Sequence, residues 1–331
     1  MPDGSTHSAP APYRCPKWLP GGHAQTIYPY FLARPSVTYR RERIATPDGD
    51  FWDFDWLAEP PAMPADTPLV VLFHGLEGGA QSHYALVLMA LLASRGWRGV
   101  IPHFRGCGGE PNLLPRAYHS GDHEDVGAML SALRQHIGSR TPMYAVGVSL
   151  GGSALLNWIG RVGGDASKML IAAATVSAPL DLGAAGIAIG QGLNRIYTRY
   201  FLSTLKPKSL DMARRFPGLL DPRRIARVRT MWDFDDAVTA PLHGFAGADD
   251  YWRRASSKRW LAEVTLPTLV LNARNDPFVP AASLPDATQV STAVQLEQPD
   301  DGGHVGFMTG PAPGRIEWLP QRLLAYFVRG Q

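Results

Sequence analysis

The stretch Tyr144–Leu156, YAVGVSLGGSALL, constrains this chain more than any other. An apolar run (Tyr144, Ala145, Val146, Val148) ends in Gly147-Val148-Ser149-Leu150-Gly151, and Ala154, Leu155, Trp158 and Ile159 follow at helical spacing. The pattern predicts a buried strand, a tight turn with Ser149 at its apex, and a buried helix. The flanking glycines have a physical reason. Side chains there would collide with the neighbouring strand and helix, and the apex residue adopts a strained backbone. The turn lifts the serine hydroxyl off the sheet and aims the free N–H groups of the helix start at developing negative charge.

A strand feeding directly into a buried helix asks for a sheet covered on both faces, and the surrounding pattern supplies one. Leu69–Phe73 (LVVLF), Val100–Phe104, Met143–Val148 and Met169–Val176 read as strands. Helices are predicted over Tyr84–Arg95 and from Asp122 to His136, with acids in the first turn of the latter. Strand pattern resumes at Thr268–Asn272 and Val294–Gln298, and Trp318–Val328 closes the chain as an amphipathic helix. This alternation implies a mostly parallel central sheet flanked by helices. Ahead of it, Val37–Ile44 and Phe51–Leu57 flank Thr46-Pro47-Asp48-Gly49-Asp50 and predict an antiparallel hairpin.

Three parts follow. Residues 1–36 form an N-terminal tail and packing arm, with 1–14 a flexible tail and 15–32 irregular. Residues 37–180 and 261–331 form the core. Residues 181–260 lack strand signals, look mostly helical and are placed as a lid over the carboxyl ends of the strands. A length of 331 residues suits such a domain with an insertion.

A serine hydroxyl needs a base, and the base needs an orienting carboxylate. Gly147-Val148-Ser149-Leu150-Gly151 resembles the nucleophile elbow of the α/β-hydrolases, and that resemblance implies partners after later strands, in the order serine, acid, histidine. Asp276 lies in the loop after Thr268–Asn272, and His304 in the loop after Val294–Gln298. Asp233, Asp235, Asp236, Asp249 and Asp250 are rival acids but fall inside the insertion. The backbone N–H groups of Leu76 and Leu150 are the expected donors to an oxyanion. His74 and Gly75, in the loop after Leu69–Phe73, are candidate substrate-contacting positions, with His74 better read as a hydrogen-bonding residue beneath the loop.

Two patterns resemble other chemistry and are set aside. His119, Asp122, His123, Glu124 and Asp125 suit a solvated helix start better than a metal centre. Arg105-Gly106-Cys107-Gly108-Gly109 lacks the Lys-Ser/Thr of a phosphate loop. No metal and no cofactor is called for.

Beyond the three catalytic candidates, several stretches carry a resemblance. They are Pro20-Gly21-Gly22-His23-Ala24-Gln25-Thr26; His74-Gly75-Leu76-Glu77-Gly78; Phe104-Arg105-Gly106-Cys107-Gly108; and Phe234-Asp235-Asp236 with Thr239-Ala240-Pro241, Gly244-Phe245 and Asp250-Tyr251. On these the chain resembles the YheT-type family of the α/β-hydrolase superfamily, which includes plant embryogenesis-associated proteins and mammalian ABHD lipases. The resemblance covers about residues 15 to 328. It implies an α/β-hydrolase fold, a Ser149–Asp276–His304 relay, and hydrolysis of carboxylic esters without a cofactor. Short- to medium-chain acyl esters and acylglycerol- or lipid-like esters are the expected substrates. A thioesterase or amidase with the same three residues, and an idle acyl-binding module, remain as alternatives.

Composition bounds the partners. A net charge of +3 does not argue for nucleic acid. Two distant cysteines, Cys15 and Cys107, make no disulfide framework and fit a reducing compartment, and the N-terminus has no signal-peptide pattern, so a cytoplasmic location is expected. The run Arg195–Arg229 holds ten Lys and Arg against Asp211 and Asp221, interleaved with Ile196, Tyr197, Phe201, Leu202 and Leu205. It reads either as a solvated helical face or as a basic lid touching an anionic membrane surface. The oligomeric state is left open.

Overall fold

The computed structural model describes residues 11–58 and 63–329. Eight strands form one sheet in the order β1-β2-β4-β3-β5-β6-β7-β8. They are β1 (Tyr39–Ala45), β2 (Phe51–Leu57), β3 (Leu69–Phe73), β4 (Arg98–Pro102), β5 (Met143–Val148), β6 (Ala172–Val176), β7 (Thr268–Leu271) and β8 (Val294–Glu297). The β1–β2 hairpin is antiparallel, and β2 also runs antiparallel to β4. Every other pairing is parallel.

Period-2 alternation along the inner strands splits the core into two layers. Leu69, Val71 and Phe73 of β3 face one side, against α3 (His123–Ile137) and α4 (Leu150–Val162). Val70 and Leu72 face the other, against α2 (His83–Ser94) and α11 (Trp318–Arg329). No side of β3 meets water, which is why its sequence is apolar without a break.

The arm is more ordered than its sequence predicts. It contains α1 (Gly22–Ile27) and a 3-10 turn, Tyr28–Phe31. Of the predicted flexible tail, residues 1–10 lie outside the described residues, but 11–14 are anchored. Trp318 Nε1 donates to the Ala11 carbonyl at 3.0 Å, and Tyr13 Oη donates to the Met308 carbonyl at 2.9 Å. The Tyr13 ring lies edge-on against Phe307 and Trp318. The reason is tertiary: the aromatic surface that holds Tyr13 is built from residues about 300 positions away. Smaller shifts affect β4, which starts at Arg98 and ends before Phe104, and β6, which starts at Ala172.

Between β6 and β7 the chain is helical. The insertion holds α5 (Leu182–Ile189), α6 (Arg195–Arg215), α7 (Pro222–Arg227), α8 (Met231–Phe234), a π-helical turn (Asp235–Thr239), α9 (Ala240–His243) and α10 (Ala248–Ala255). It has its own small core, in which Leu202, Leu205, Ile225, Phe234 and Val238 meet. Leu76 packs against both this cluster and the main core.

The edge of the sheet nearest β1 is braced by charge. Arg41 and Arg43 of β1 stand directly opposite Asp55 and Asp53 of β2 and bond them at 2.7 and 2.8 Å. Burial alone would raise the Asp55 carboxyl, but hydrogen bonds from Arg41 and His103 hold it well below the usual carboxylate range. Arg105 is buried among three carboxylates: Asp125 at 2.7 Å, Asp48 at 3.0 Å and Asp50 at 3.1 Å. It anchors the glycine-rich 105–109 turn. Replacing Arg105 with Met would leave Asp50 buried without its ion-pair partner and Asp125 with only Arg116, at 3.4 Å. We expect Arg105→Met to lower the unfolding free energy by about 3–5 kcal/mol in urea titrations, with Arg105→Lys recovering part of the loss.

Candidate active site

Ser149 occupies the turn between β5 and α4 with φ 52° and ψ −120°, a left-handed backbone that a serine adopts only under constraint. The two glycines around it are required by space. A Cβ on Gly147 would lie 2.6 Å from the Gly152 Cα, and one on Gly151 would lie 2.4 Å from the Phe73 carbonyl oxygen. The turn is therefore pressed between α4 and the end of β3.

The three predicted residues meet in space. His304 Nδ1 lies 2.8 Å from Asp276 Oδ2, and His304 Nε2 lies 3.0 Å from Ser149 Oγ. A carboxylate only accepts, so the arrangement sets the tautomer: Nδ1 carries the proton and Nε2 presents its lone pair to the serine hydroxyl. The other Asp276 oxygen accepts from the Phe278 N–H at 2.7 Å and the Val279 N–H at 3.3 Å, which fixes the carboxylate plane. The Phe278 ring covers the imidazole at 4.2 Å. None of the rival acids in the insertion bonds His304. Asp235, for example, accepts from Thr239 Oγ1 and Trp252 Nε1, and burial raises its carboxyl to about 6.

The loop bearing His304 is held by the arm, a role that sequence reasoning missed. Thr26 Oγ1 accepts the His304 N–H at 2.8 Å, and Gln25 Oε1 accepts the Gly302 N–H at 2.8 Å. Gln25 Oε1 also accepts from Asn275 Nδ2 at 2.9 Å, so one fully buried side chain ties the loop of the acid to that of the base. Asn275 Oδ1 takes the Gly303 N–H at 2.9 Å. The signal was present in Gln25 and Thr26, polar residues in an apolar arm. Their partners are 277 and 278 positions away.

On the other side of Ser149 lies the loop after β3. A Cβ on Gly75 would stand 3.2 Å from the Ser149 Cβ, so the loop abuts the serine. Two tyrosines bracket it. Gly75 N–H donates to Tyr84 Oη at 2.9 Å, and Glu77 N–H donates to Tyr118 Oη at 2.7 Å. Tyr118 in turn donates to Glu77 Oε1 at 3.0 Å, and Lys208 of α6 pairs with the same carboxylate at 2.8 Å. Glu77 holds a left-handed φ of 54°. The Leu76 N–H between them has no acceptor among the described residues, and neither has the Leu150 N–H at the start of α4.

His74 and Gly75, the candidate substrate-contacting positions, lie buried beneath the loop. His74 is fully buried: Nε2 accepts the Phe104 N–H at 3.2 Å, so Nδ1 carries the proton and donates to the Gly75 carbonyl at 2.8 Å. Burial pushes its imidazole down to about 3, keeping it neutral. Gly75 is buried too, with its N–H committed to Tyr84. Both support the loop from below. The acidic cluster at α3 is likewise occupied, with Asp122 bonded to Arg116 at 2.8 Å and Asp125 to Arg105.

Ser149 and His304 open on a cavity of about 490 Å³ between the sheet and the insertion. Its wall is mostly apolar, with Leu76, Leu182, Ile189, Phe201, Leu205 and Phe278 among the lining residues.

The fold around this serine, which is bonded to a histidine that is itself bonded to an aspartate, has counterparts among known sequences. The description of the α/β-hydrolase fold family matches residues 68–311. The chain belongs to the α/β-hydrolase family. Within it the chain falls in the YheT-type branch. It is 39% identical over 305 residues to YheT of Escherichia coli (strain K12), a protein with a provisional esterase name, covering 91% of this chain and 88% of that protein. It is 32% identical over 322 residues to phospholipase ABHD3 of Mus musculus, covering 94% of this chain and 77% of that one. Among solved structures, an esterase of Pyrococcus furiosus superposes with a TM-score of 0.55 at 16% identity, covering 88% of this chain and 91% of that chain. No helix among the described residues is long and apolar enough to cross a membrane.

The bracket and the arm should both be visible in kinetics. Tyr118→Phe removes two hydrogen bonds from the loop after β3, and Thr26→Val removes one from the loop of His304. Each should lower kcat about tenfold while KM stays within about twofold, with circular dichroism unchanged. An equal fall in kcat for Phe201→Leu, on the cavity wall, would show that the effect is not specific to the two loops.

Proposed function

We propose that this carboxylic ester hydrolase works by two-step acyl transfer on Ser149. His304 Nε2 takes the hydroxyl proton as the serine oxygen attacks the ester carbonyl. Asp276 holds the imidazole in the required tautomer and offsets the positive charge it acquires. The N–H groups of Leu76 and Leu150 receive the tetrahedral oxyanion. As the intermediate collapses, His304 gives its proton to the departing alcohol. Water then attacks the acyl-enzyme by the same route, His304 acting first as base and then as acid, and the free carboxylic acid leaves.

The single observation that carries this reading is the hydrogen-bonded chain Asp276–His304–Ser149, at 2.8 and 3.0 Å, on the floor of an apolar cavity. The cavity supports an acyl group as the bound portion of the substrate, since an apolar wall gains by excluding water from a hydrocarbon chain. Residues 181–260 act as the lid of that cavity. Relatives named phospholipase and monoacylglycerol lipase support lipid-like esters, alongside short- to medium-chain acyl esters, as the substrate class.

A p-nitrophenyl ester series from acetate to laurate, run on the parent and on Ser149→Ala, tests the reading. We expect turnover by the parent with an optimum above acetate, and a loss of at least about 10⁴-fold in Ser149→Ala. A parent without turnover on any ester, or a Ser149→Ala variant as active as the parent, contradicts it.

A further inference from the structure

We propose that the outer face formed by the arm and the first turns of α6 docks on an anionic lipid surface. Six of the thirteen large apolar side chains exposed among the described residues lie on these two segments and the 3-10 turn Gly192–Asn194 that leads into α6: Ile27, Tyr30, Phe31, Leu193, Ile196 and Tyr200. Phe31 is 78% exposed, Leu193 69% and Tyr200 62%. The segments meet, with His23 Nδ1 3.1 Å from Tyr197 Oη and the two rings stacked. Exposed apolar side chains gathered on two segments that touch mark an interaction site on a globular protein.

Both segments have two working sides. Gln25 and Thr26 of the arm turn inward to hold the His304 loop, while Ile27, Tyr30 and Phe31 stand outside. On α6, Phe201 and Leu205 line the cavity and Lys208 bonds Glu77. Ile196 and Tyr200, four residues apart, share the exposed face. The exposed surface is therefore continuous with the elements that position the histidine and wall the cavity.

Charge selects the occupant. Arg34, Arg195 and Arg199 are exposed along the face. The sequence has no Asp or Glu from Gly4 to Arg41, nor from Leu182 to Leu210. Tyrosine and phenylalanine rimmed by arginine suit the boundary between lipid headgroups and acyl chains, where rings insert shallowly and guanidinium groups meet phosphate. This puts the contact at the start of the basic run rather than at Arg223–Arg229, where Arg224 is already paired with Asp236 at 2.7 Å. The proposal extends the ester-hydrolase reading, because a lipid ester would enter beside α6, but binding itself needs no turnover.

The test is co-sedimentation of the full chain carrying Ser149→Ala with phosphatidylcholine vesicles and with phosphatidylcholine–phosphatidylserine vesicles. We expect binding to the anionic vesicles and at least about tenfold weaker binding to the zwitterionic ones. Phe31→Ser with Ile196→Ser and Tyr200→Ser, and separately Arg195→Glu with Arg199→Glu, should each weaken anionic binding about tenfold or more. Arg223→Glu with Arg227→Glu should change it less than about twofold. In the Ser149 background the two face variants should turn over p-nitrophenyl butyrate as the parent does. If the serine triple variant does not fold, the arginine pair carries the test. Absence of binding by the parent overturns the proposal, as does undiminished binding by the face variants. So does self-association in velocity sedimentation that the same substitutions abolish while vesicles are not bound. Vesicle binding by a parent that hydrolyses no ester would refute the ester reading and leave the docking surface standing.

Discussion

The buried amide of Gln25 holds the site together. Its oxygen accepts from Asn275 in the loop of the acid and from the Gly302 N–H in the loop of the histidine. Its nitrogen donates to the Leu19 carbonyl and to Asp301. A buried amide is costly unless its polar atoms are paired, so each of these loops is held to one arrangement. The next residue, Thr26, takes the His304 N–H itself. The arm is thus a clamp on the two loops that bring a carboxylate within hydrogen-bond reach of an imidazole, and the imidazole within reach of Ser149.

A comparable division of labour holds the loop after β3. Its neighbours on either side of Leu76 spend their N–H groups on Tyr84 and Tyr118, and His74 supports the backbone from beneath. Only the middle amide is left without an acceptor among the described residues. The Tyr118 ring is itself fixed by stacking on Phe104 at 5.3 Å, and Phe104 lies in the main core. Lys208 then ties the Glu77 carboxylate to α6. Insertion, loop and core are therefore joined at one residue pair, in the loop that abuts Ser149.

How much of this was legible in the sequence depends on the range of the interaction. The elbow was readable because its parts are adjacent: an apolar strand, two glycines and a serine, and a helical repeat. Asp276 and His304 were readable because chain order and the preceding strands placed them. The helical character of 181–260 was readable from the missing strand pattern. The order of the arm was not, because α1 gains its stability from partners 250 and 277 residues away. Nor was the anchoring of Tyr13 against Phe307 and Trp318. His74 was half-read: a loop histidine is equally consistent with contact or support, and only its burial distinguishes them.

The sequence by itself determined the sheet, its two covered faces and the identity of the two residues, Asp276 and His304, that converge on Ser149. Local periodicity and strand order are properties of the chain, and a parallel sheet admits few ways of connecting them. Tertiary structure decided how the convergence is held. Hydrogen bonds from Gln25, Thr26, Tyr84 and Tyr118 join segments that share no local pattern, and they become favourable only once burial has removed competing water. It also decided which apolar side chains stay outside. Phe31, Ile196 and Tyr200 are no more polar than residues of the core, and their exposure follows from which faces of the arm and of α6 the site had already taken.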